Sequence, residues 1–293
     1  MIMKQLFSLF TAVILLLSLA GCASSQEPAQ IAATTPPVFE FTSRICEGTG
    51  LSVTQLVTEN VSCLHDYSLS VRQVKAVESA EVVVLSGAGL EAFMENTLSN
   101  TVRVIESAEG IKLLQCSENH GHEHQHEHEH DPHLWLSPVH AKQMAQNICA
   151  GLKKNYPQHA ATFDANLSSL LSDLDGLLAY GQQQLKDLSC RELITFHDGF
   201  AYFAEAFDLT ILEAIEEESG SEASAAELKH LITLVNSHHL PAIFTECSGS
   251  VSAAGVIAAE TEAKIYALDM AMSGNRYFEA MIHNIDTVKE ALG

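Results

Sequence analysis

Short apolar runs alternate with amphipathic stretches along the chain after Pro37. Runs rich in Val, Ile and Leu predict strands, and stretches with apolar residues three or four positions apart predict helices. The predicted strands are 38–41, 52–57, 81–87, 102–107, 192–196, 241–246 and 264–269. The predicted helices are 71–80, 90–98, 137–157, 201–207, 224–238, 253–262 and 277–292. This alternation is typical of parallel sheets with helices on both faces.

One segment in the middle of the chain has a longer helical pattern. Its apolar stripe consists of Phe163, Leu167, Leu170, Leu171, Leu174, Leu177, Leu178 and Leu185. The stripe predicts a helix of about 30 residues, roughly 40 Å long. A coiled-coil partner is one alternative, but a single helix lying across two domains fits the mid-chain position better. We therefore predict two α/β lobes, residues 38–157 and 189–293, joined by a linking helix at 158–188.

The first 22 residues predict export and attachment to a lipid. One lysine precedes an apolar run from Leu6 to Leu19, which is short for a membrane span and predicts a signal peptide at 1–21. The letters "LAGC" that end at Cys22 resemble the processing box of bacterial lipoproteins, and an ordinary signal peptide with a chance cysteine is the alternative. We expect a lipid on Cys22 to anchor the chain outside the bacterial cytoplasm. Residues 22–37 are small, polar and Pro-containing, which predicts a flexible tether.

Charge and cysteine content narrow the classes of function. The chain has 15 Lys+Arg against 37 Asp+Glu, a formal net charge of −22, so a nucleic-acid partner is not expected. No CxxC motif is present, which disfavours a finger-type zinc site. Apart from Cys22, the chain contains Cys46, Cys63, Cys116, Cys149, Cys190 and Cys247. Their pairing, or their role as plain buried thiols, is left open by the sequence.

Three isolated histidines and one aspartate lie at or near the ends of predicted strands. His65 lies between a strand and a helix, and His133 lies just before a Ser-Pro helix start. His197 follows a strand directly, and Asp269 lies at the carboxyl end of the strand that begins with "KIYA". Each residue alone is more often a surface or turn residue, but ligands of open α/β sheets bind at the carboxyl ends of strands. Two facing lobes would bring these side chains together, and three imidazoles with one carboxylate suit Zn²⁺.

Several motifs, in order, resemble those of the zinc-uptake substrate-binding lipoproteins of bacterial ABC transporters. The stretch "HDYSLSVRQVKAVESAEVVVLSGAGLEAFM" resembles the segment that begins at the first metal ligand of that family, "DPHLWLSP" the second-ligand motif and "TFHDGFAYFAEAFDL" the third. The match runs from about Val38 to the C-terminus. The resemblance implies an α/β fold with two Rossmann-like lobes, each with a parallel sheet, joined by one long rigid helix, and a metal site in the cleft between the lobes.

The resemblance also implies a set of ligands. His65, His133 and His197 match the first three, and Asp269 matches a carboxylate that some members use as the fourth. Manganese-specific relatives place Glu at the position of His197, so the imidazole favours zinc. Leu64 replaces a Glu of some members, and "MAMSG" after Asp269 lacks the usual Pro. Water is therefore the alternative fourth ligand.

A run of alternating histidines precedes the second-ligand motif. The run lies in 118–130 and contains His120, His122, His124, His126, His128 and His130. It has no apolar anchor, so it is not expected to fold by itself. We expect an accessory loop that gathers zinc near the cleft, and a solvated polar insertion is the alternative.

The leading interpretation is a monomeric binding protein, not an enzyme, that delivers Zn²⁺ to an ABC permease. Manganese or another divalent metal is the alternative within the family. A secreted zinc hydrolase is the alternative from another class, with three histidines and water on zinc and Glu246 as general base. No HExxH motif supports it, and a carboxylate bonded to neighbouring groups is the more common role for Glu246. A zinc-dependent adhesin is a further alternative.

Overall fold

The computed structural model describes residues 30–59, 61, 64, 67–98, 102–115, 130–215, 223–247, 251–272 and 276–293. Within these ranges, eight strands form two four-stranded parallel sheets, one in each lobe. The N-terminal lobe contains β1 (Ile31–Ala33), β2 (Val53–Gln55), β3 (Val82–Leu85) and β4 (Arg103–Glu106), in the order β2-β1-β3-β4. The C-terminal lobe contains β5 (Glu192–Thr195), β6 (Thr210–Ala214), β7 (Ala242–Glu246) and β8 (Lys264–Leu268), in the order β6-β5-β7-β8. The predicted fold class is confirmed.

Helices cover both sheets. Those of the described ranges are α1 (Pro36–Cys46), α2 (Val71–Ser79), α3 (Pro138–Asn155), α4 (Ala160–Gln184), α5 (Ala201–Ala206), α6 (Ala225–His238), α7 (Ser252–Glu260) and α8 (Tyr277–Leu292). Their ends follow local sequence signals. Ser70 and Ser224 begin α2 and α6 with capping boxes, because each hydroxyl accepts from the backbone N–H three residues later.

The long helix α4 has 25 residues and follows a short 3-10 turn at Pro157–His159. It buries Phe163, Leu170, Leu174 and Leu177, which belong to the predicted stripe. The helix packs against α1 and α3 of the N-terminal lobe and against α8 of the C-terminal lobe. Tyr180 on α4 donates a hydrogen bond of 2.6 Å to Asp286 on α8. One continuous helix therefore contacts both lobes.

The N-terminal boundary predicted for the first lobe was wrong. Residues 31–33 were assigned to the tether, but they form β1, which is fully buried between β2 and β3. The strand was missed because "IAA" is short and lies in a tract of small residues. Residues 38–41 were predicted as a strand, but they belong to α1. Two prolines start this helix, and the spacing of buried Val38, Phe41 and Ile45 is helical.

Two further elements differ from the sequence prediction. Strand β6 was not predicted, because Thr210–Ala214 mixes polar and apolar residues and no flanking turn signal was recognised. Residues 90–98 were predicted as a helix, but they contain only a 3-10 turn at Ala92–Met94 with further turns around it. Both elements are short, and tertiary packing determines which secondary structure they adopt.

Each sheet reverses its strand order at one point, which in such sheets is where ligands bind. In the C-terminal lobe this point lies between β5 and β7. In the N-terminal lobe it lies between β1 and β3, where the buried carboxylate of Glu91 accepts from the Thr34 hydroxyl at 2.6 Å. Glu91 also accepts from the backbone N–H groups of Ser86 at 2.7 Å and Gly87 at 3.0 Å. Burial raises the pKa of Glu91 above its usual value, against the effect of these hydrogen bonds.

Among the described residues, the thiols of Cys46, Cys149, Cys190 and Cys247 are free, and none of the described helices is long and apolar enough to cross a membrane. Burial raises the pKa of the Cys46 thiol to about 12, so this thiol is protonated and inert near neutral pH. Cys22, Cys63 and Cys116 lie outside the described residues.

Candidate metal centre

His133 lies at the start of a 3-10 turn, Leu134–Leu136, that leads into α3. Its side chain is buried, and Oδ1 of Asp131 lies 2.8 Å from its Nδ1. The same oxygen accepts from the backbone N–H of His133 at 2.8 Å. An ionised carboxylate can only accept, so Nδ1 carries the proton and Nε2 presents a lone pair. A short-range contact thus fixes both the tautomer and the direction of the ring.

His197 follows β5 in the other lobe and has the same kind of partner. Its Nδ1 lies 2.8 Å from Oε1 of Glu246, the last residue of the adjacent strand β7. Glu246 is buried, and the His197 side chain is only 12% exposed. The backbone is fixed as well, because the Thr195 hydroxyl donates to the carbonyl of His197 at 3.0 Å. His197 and Glu246 therefore occupy the point at which the strand order of this sheet reverses.

The two imidazoles face each other across the cleft between the lobes. Their Nε2 atoms are 3.4 Å apart, and the ring planes lie at 81° to each other. Gly199 makes room for this arrangement. A Cβ atom at that position would lie 2.6 Å from Cδ2 of His197 and 3.0 Å from Nδ1 of His133. The two Nε2 atoms form half of a possible metal site.

Asp269 follows β8 and is buried at the side of the cleft. Its backbone N–H donates to Oδ1 of Asn284 at 2.7 Å, and its carbonyl accepts from Nδ2 of the same asparagine at 2.7 Å. Its own Oδ1 accepts from the backbone N–H of Ala271 at 2.7 Å. Among the described residues, no three His, Cys, Asp or Glu side chains converge closely enough to hold a metal. Of the four predicted ligands, the structure brings His133 and His197 into contact, while His65 lies outside the described residues.

Hydrogen bonds connect this centre across the two lobes. Trp135, two residues after His133, donates from Nε1 to the carbonyl of Met270 at 2.8 Å. Tyr277 on α8 donates from its hydroxyl to the carbonyl of Trp135 at 2.8 Å. Tyr202 on α5 donates to the carbonyl of Asp131 at 2.9 Å. The loop that carries His133 is therefore attached to the C-terminal lobe on both sides of the imidazole.

Cys247 lies close to Asp269 and Glu246 at this centre. Desolvation raises the pKa of its thiol, and the negative charges of Asp269 and Glu246 raise this pKa further.

A model of a protein family described as zinc-uptake complex component A, periplasmic, matches residues 31–291. The chain belongs to this family. It is similar to the high-affinity zinc uptake system protein ZnuA of Bacillus subtilis (strain 168), with 27% identity over 99% of this chain and 98% of the relative. It is equally similar, at 27% identity over 94% of this chain and 95% of the relative, to the manganese-binding lipoprotein MntA of the same organism. A crystal structure of ZnuA with 28% identity superposes with a TM-score of 0.77 over 90% of this chain and all of that chain.

Membership of this zinc-uptake family makes the chain a metal-binding solute-binding protein, and its fold is that of these binding proteins rather than of an enzyme. Proteins of the family work with ABC transporter permeases. The near-equal similarity to zinc-named and manganese-named relatives leaves the metal to be argued from the site.

The histidine run is described only at its end. His120, His122, His124, His126 and His128 lie outside the described residues. His130 forms an isolated antiparallel bridge with Gln115, which closes the base of the insertion. The next residue is Asp131, the partner of His133. The histidine run therefore ends three residues before His133.

The sequence did not lead us to two side chains of this centre, and it left two roles open for a third. Asp131 was not considered, although its position two residues before a histidine in "DPH" is a usable signal. Asn284 was also missed, because nothing in the closing helix marks it as a partner of a residue 15 positions earlier. Glu246 was considered as a general base only for the hydrolase alternative, and its contact with His197 agrees with the role judged more common, a carboxylate that contacts neighbouring groups.

Proposed function

We propose that this chain is an extracytoplasmic zinc-binding protein that takes Zn²⁺ into the cleft between its lobes and delivers it to an ABC permease. The observation that carries the proposal is the pair of Nε2 atoms of His133 and His197, 3.4 Å apart, each ring oriented through Nδ1 by a buried carboxylate. Histidines that bind metals commonly donate their second ring N–H to a carboxylate in this way.

The separation of the two nitrogens is compatible with four-coordinate zinc. Two Zn–N bonds of about 2.0–2.1 Å at the tetrahedral angle place their nitrogens roughly 3.3–3.4 Å apart. The distance between the two Nε2 atoms is 3.4 Å.

We propose His65 and Asp269 as the remaining two ligands. The motif around His65 supports the first assignment, and the position of Asp269 at the carboxyl end of β8 supports the second. Three imidazoles and one carboxylate suit the borderline-soft Zn²⁺, whereas Mn²⁺ favours oxygen-rich sites. The imidazole of His197 is accordingly the feature that favours zinc over manganese.

The remaining parts of the proposal concern where the protein acts. We propose that the chain is exported, that a lipid on Cys22 anchors it outside the cytoplasm, and that it works as a monomer. The lipoprotein-like "LAGC" box supports the anchor, as does the similarity to the manganese-binding lipoprotein MntA. Histidines 120 to 130 are proposed as an accessory loop that gathers zinc beside the cleft.

The hydrolase alternative loses its main support. It needed Glu246 as a general base that could reach a metal-bound water, but Oε1 of Glu246 lies 2.8 Å from Nδ1 of His197 and the side chain is buried. A carboxylate in that position orients the imidazole instead. The adhesin alternative gains no specific feature from the described residues.

The experiment that tests the proposal is metal analysis of the soluble chain, residues 23–293, with competition titrations for Zn²⁺ and Mn²⁺. Wild type, His197→Ala and His238→Ala would be compared. His238 is the matched control, because its Nδ1 also lies 2.9 Å from a carboxylate, that of Glu192, but on an exposed surface. We expect one tightly held Zn²⁺ in wild type and in His238→Ala, and a severe loss of affinity in His197→Ala.

Two results would contradict the proposal. Tight zinc binding that survives His197→Ala would mean that the imidazole pair is not the site. A preference of the wild type for Mn²⁺ over Zn²⁺ would leave the binding-protein function in place and would overturn the choice of metal.

A further inference from the structure

We propose that Tyr202 is a positioning residue for the metal centre. Its hydroxyl holds Leu114 and Asp131, the two residues that flank 115–130, the stretch with the histidine run. This contact keeps the Asp131 carboxylate on the imidazole of His133. The inference rests on the proposed function, because it takes His133 as a ligand. Tyr202 acts through Asp131 rather than on the metal.

The Tyr202 hydroxyl contacts both ends of the stretch 115–130 at once. It accepts from the backbone N–H of Leu114 at 2.9 Å and donates to the backbone carbonyl of Asp131 at 2.9 Å. Tyr202 is fully buried, and its ring lies against that of His140 on α3, with centroids 5.0 Å apart and planes at 72°. A buried hydroxyl that both donates and accepts resists rotation, because turning it would leave buried polar groups unpaired. The packed ring and the two hydrogen bonds therefore fix the hydroxyl.

The two ends of the stretch are also bonded to each other. The N–H of Asp131 donates to the carbonyl of Leu114 at 2.9 Å, and Gln115 and His130 form the next pair as an antiparallel bridge. With the Tyr202 hydroxyl, the bonds form a ring in which Leu114 and Asp131 each use both of their backbone polar groups. Without the hydroxyl, the two ends would be held by their direct bond and the bridge alone.

Asp131 transmits this restraint to His133. Its Oδ1 lies 2.8 Å from Nδ1 of His133 and accepts from the backbone N–H of the same residue at 2.8 Å. A shift of the Asp131 backbone would therefore carry the carboxylate away from the ring. The other imidazole, that of His197, lies five residues before Tyr202 on the segment that leads into α5. One short segment of the C-terminal lobe thus carries one imidazole and holds the residue that orients the other.

The consequence concerns how the histidine run and the cleft affect each other. Metal bound within 115–130 can move Asp131 only by breaking the ring of hydrogen bonds around the Tyr202 hydroxyl. While that ring is intact, the run and the imidazole pair should bind metal independently. Without the hydroxyl, the length of the stretch should matter, because the entropic cost of closing a loop rises with its length. Shortening the stretch should then compensate for the missing hydroxyl.

The test combines Tyr202→Phe, which keeps the ring against His140 and removes only the hydroxyl, with the deletion of residues 118–129. The soluble chain would be prepared as wild type, each single variant and the double variant. Zn²⁺ affinity would be measured by competition with a chromophoric chelator. Tyr180→Phe is the matched control, because its hydroxyl also joins two elements, α4 and α8, by donating to Asp286, but at an exposed contact.

Two further measurements need no metal. The Nδ1 proton of His133, when bonded to a carboxylate, gives a downfield NMR signal that exchanges slowly with water, and His133→Ala identifies the signal by its absence. Hydrogen exchange of the Leu114 N–H in wild type does not depend on the folding of any variant. We expect this N–H to be protected about as strongly as those of the central strand β3.

We expect Tyr202→Phe to lower Zn²⁺ affinity about tenfold and to weaken the His133 signal, whereas Tyr180→Phe should change neither. The deletion should leave the affinity of wild type unchanged and should restore most of the affinity lost in Tyr202→Phe. Such a non-additive result would not arise from general destabilisation.

Three results would each overturn the inference: additive effects of Tyr202→Phe and the deletion, an unchanged His133 signal in Tyr202→Phe, or rapid exchange of the Leu114 N–H in wild type. The proposed function fails separately. A wild type that lacks tight zinc, but whose His133 signal still depends on Tyr202, would overturn that function and leave the positioning role in place.

Discussion

Glu246 and His197 stand at the ends of neighbouring parallel strands, with Oε1 of the glutamate 2.8 Å from Nδ1 of the imidazole. In the other lobe, Oδ1 of Asp131 lies at the same distance from Nδ1 of His133, two residues later in the same loop. Both carboxylates are buried, so neither imidazole depends on solvent for its orientation. The centre is therefore preorganised by two carboxylates, one in each lobe, before a metal arrives.

Removing the charge of either carboxylate should weaken zinc binding without removing a ligand. In Glu246→Gln and Asp131→Asn the imidazole keeps its place but loses a partner that fixes its tautomer and raises its basicity. We expect zinc affinity to fall by about 10–100-fold in each variant, as measured by competition with a chromophoric chelator. Glu192→Gln is the control, because it removes the same kind of contact from His238 on the surface. Equal affinities in all three variants would show that the carboxylates do not orient the ligands.

Much of this arrangement could be predicted from the sequence, because the signals are local. Apolar periodicity gave the strands β3, β5, β7 and β8, and a histidine or aspartate follows two of them directly. Parallel strands point their carboxyl ends to one edge, so these residues were expected at the cleft. The long helix was equally predictable, since its buried stripe, from Phe163 to Gly181, repeats over about five turns.

The parts that were not predicted depend on tertiary contacts. Strand β1 is only three residues long, Ile31–Ala33, and it becomes a central strand because β2 and β3 pair with it. Asn284 lies in a helix whose pattern explains its burial but not its two hydrogen bonds to Asp269. The sequence around either residue does not indicate that the two residues form these hydrogen bonds.

Deleting the histidine run should distinguish tight zinc binding in the cleft from loose zinc binding by the run. The deletion of 118–129 stops before His130, which retains the bridge between His130 and Gln115 and the contact of Asp131 with His133. We expect the tight ion to remain, because gathering several side chains of the run around an ion costs entropy, so the run should bind more weakly than the cleft. Loosely held ions should be lost, as measured by metal content and titration calorimetry.

The same deletion has a consequence for uptake. Growth of the native host at limiting zinc should slow if the loop gathers the ion, and should recover when zinc is supplied in excess. Unchanged growth and uptake at limiting zinc would contradict the gathering role. Loss of the tight ion would contradict the assignment of the site to the cleft.

Glu91 should make the stability of the N-terminal lobe depend on pH. Its pKa is raised in the folded chain, so the folded state binds its proton more tightly than the unfolded state does. The contribution of Glu91 to the free energy of unfolding is therefore highest below the usual glutamate pKa, and it falls as pH rises through the interval up to the folded pKa. The free energy of unfolding of wild type minus that of Glu91→Gln, measured by urea unfolding from about pH 4 to 8, should decline as pH rises. A difference that rises with pH would mean that the hydrogen bonds from Ser86 and Gly87 outweigh burial.

Two glycines of α4 should respond in opposite directions to the same substitution. A Cβ at Gly181 would lie 2.2 Å from Cε1 of Phe207, whereas a Cβ at Gly176 would meet nothing within 4 Å. Alanine favours a helix interior over glycine by about 0.5–1 kcal/mol, so Gly176→Ala should raise the free energy of unfolding by that amount. Gly181→Ala should lower it by about 1–3 kcal/mol, because Phe207 is buried and must move.

Urea unfolding of wild type and both variants measures the changes in the free energy of unfolding. Each variant serves as the control for the other, because both substitutions lie in the same helix. Stabilisation by both would mean that Phe207 yields without cost, so that α4 is not held tightly against the end of α5. Opposite signs would show that the linking helix is fixed to the C-terminal lobe by close packing at Gly181. That packing limits movement between the lobes, so capture and release of the metal must then rely on the loops at the cleft.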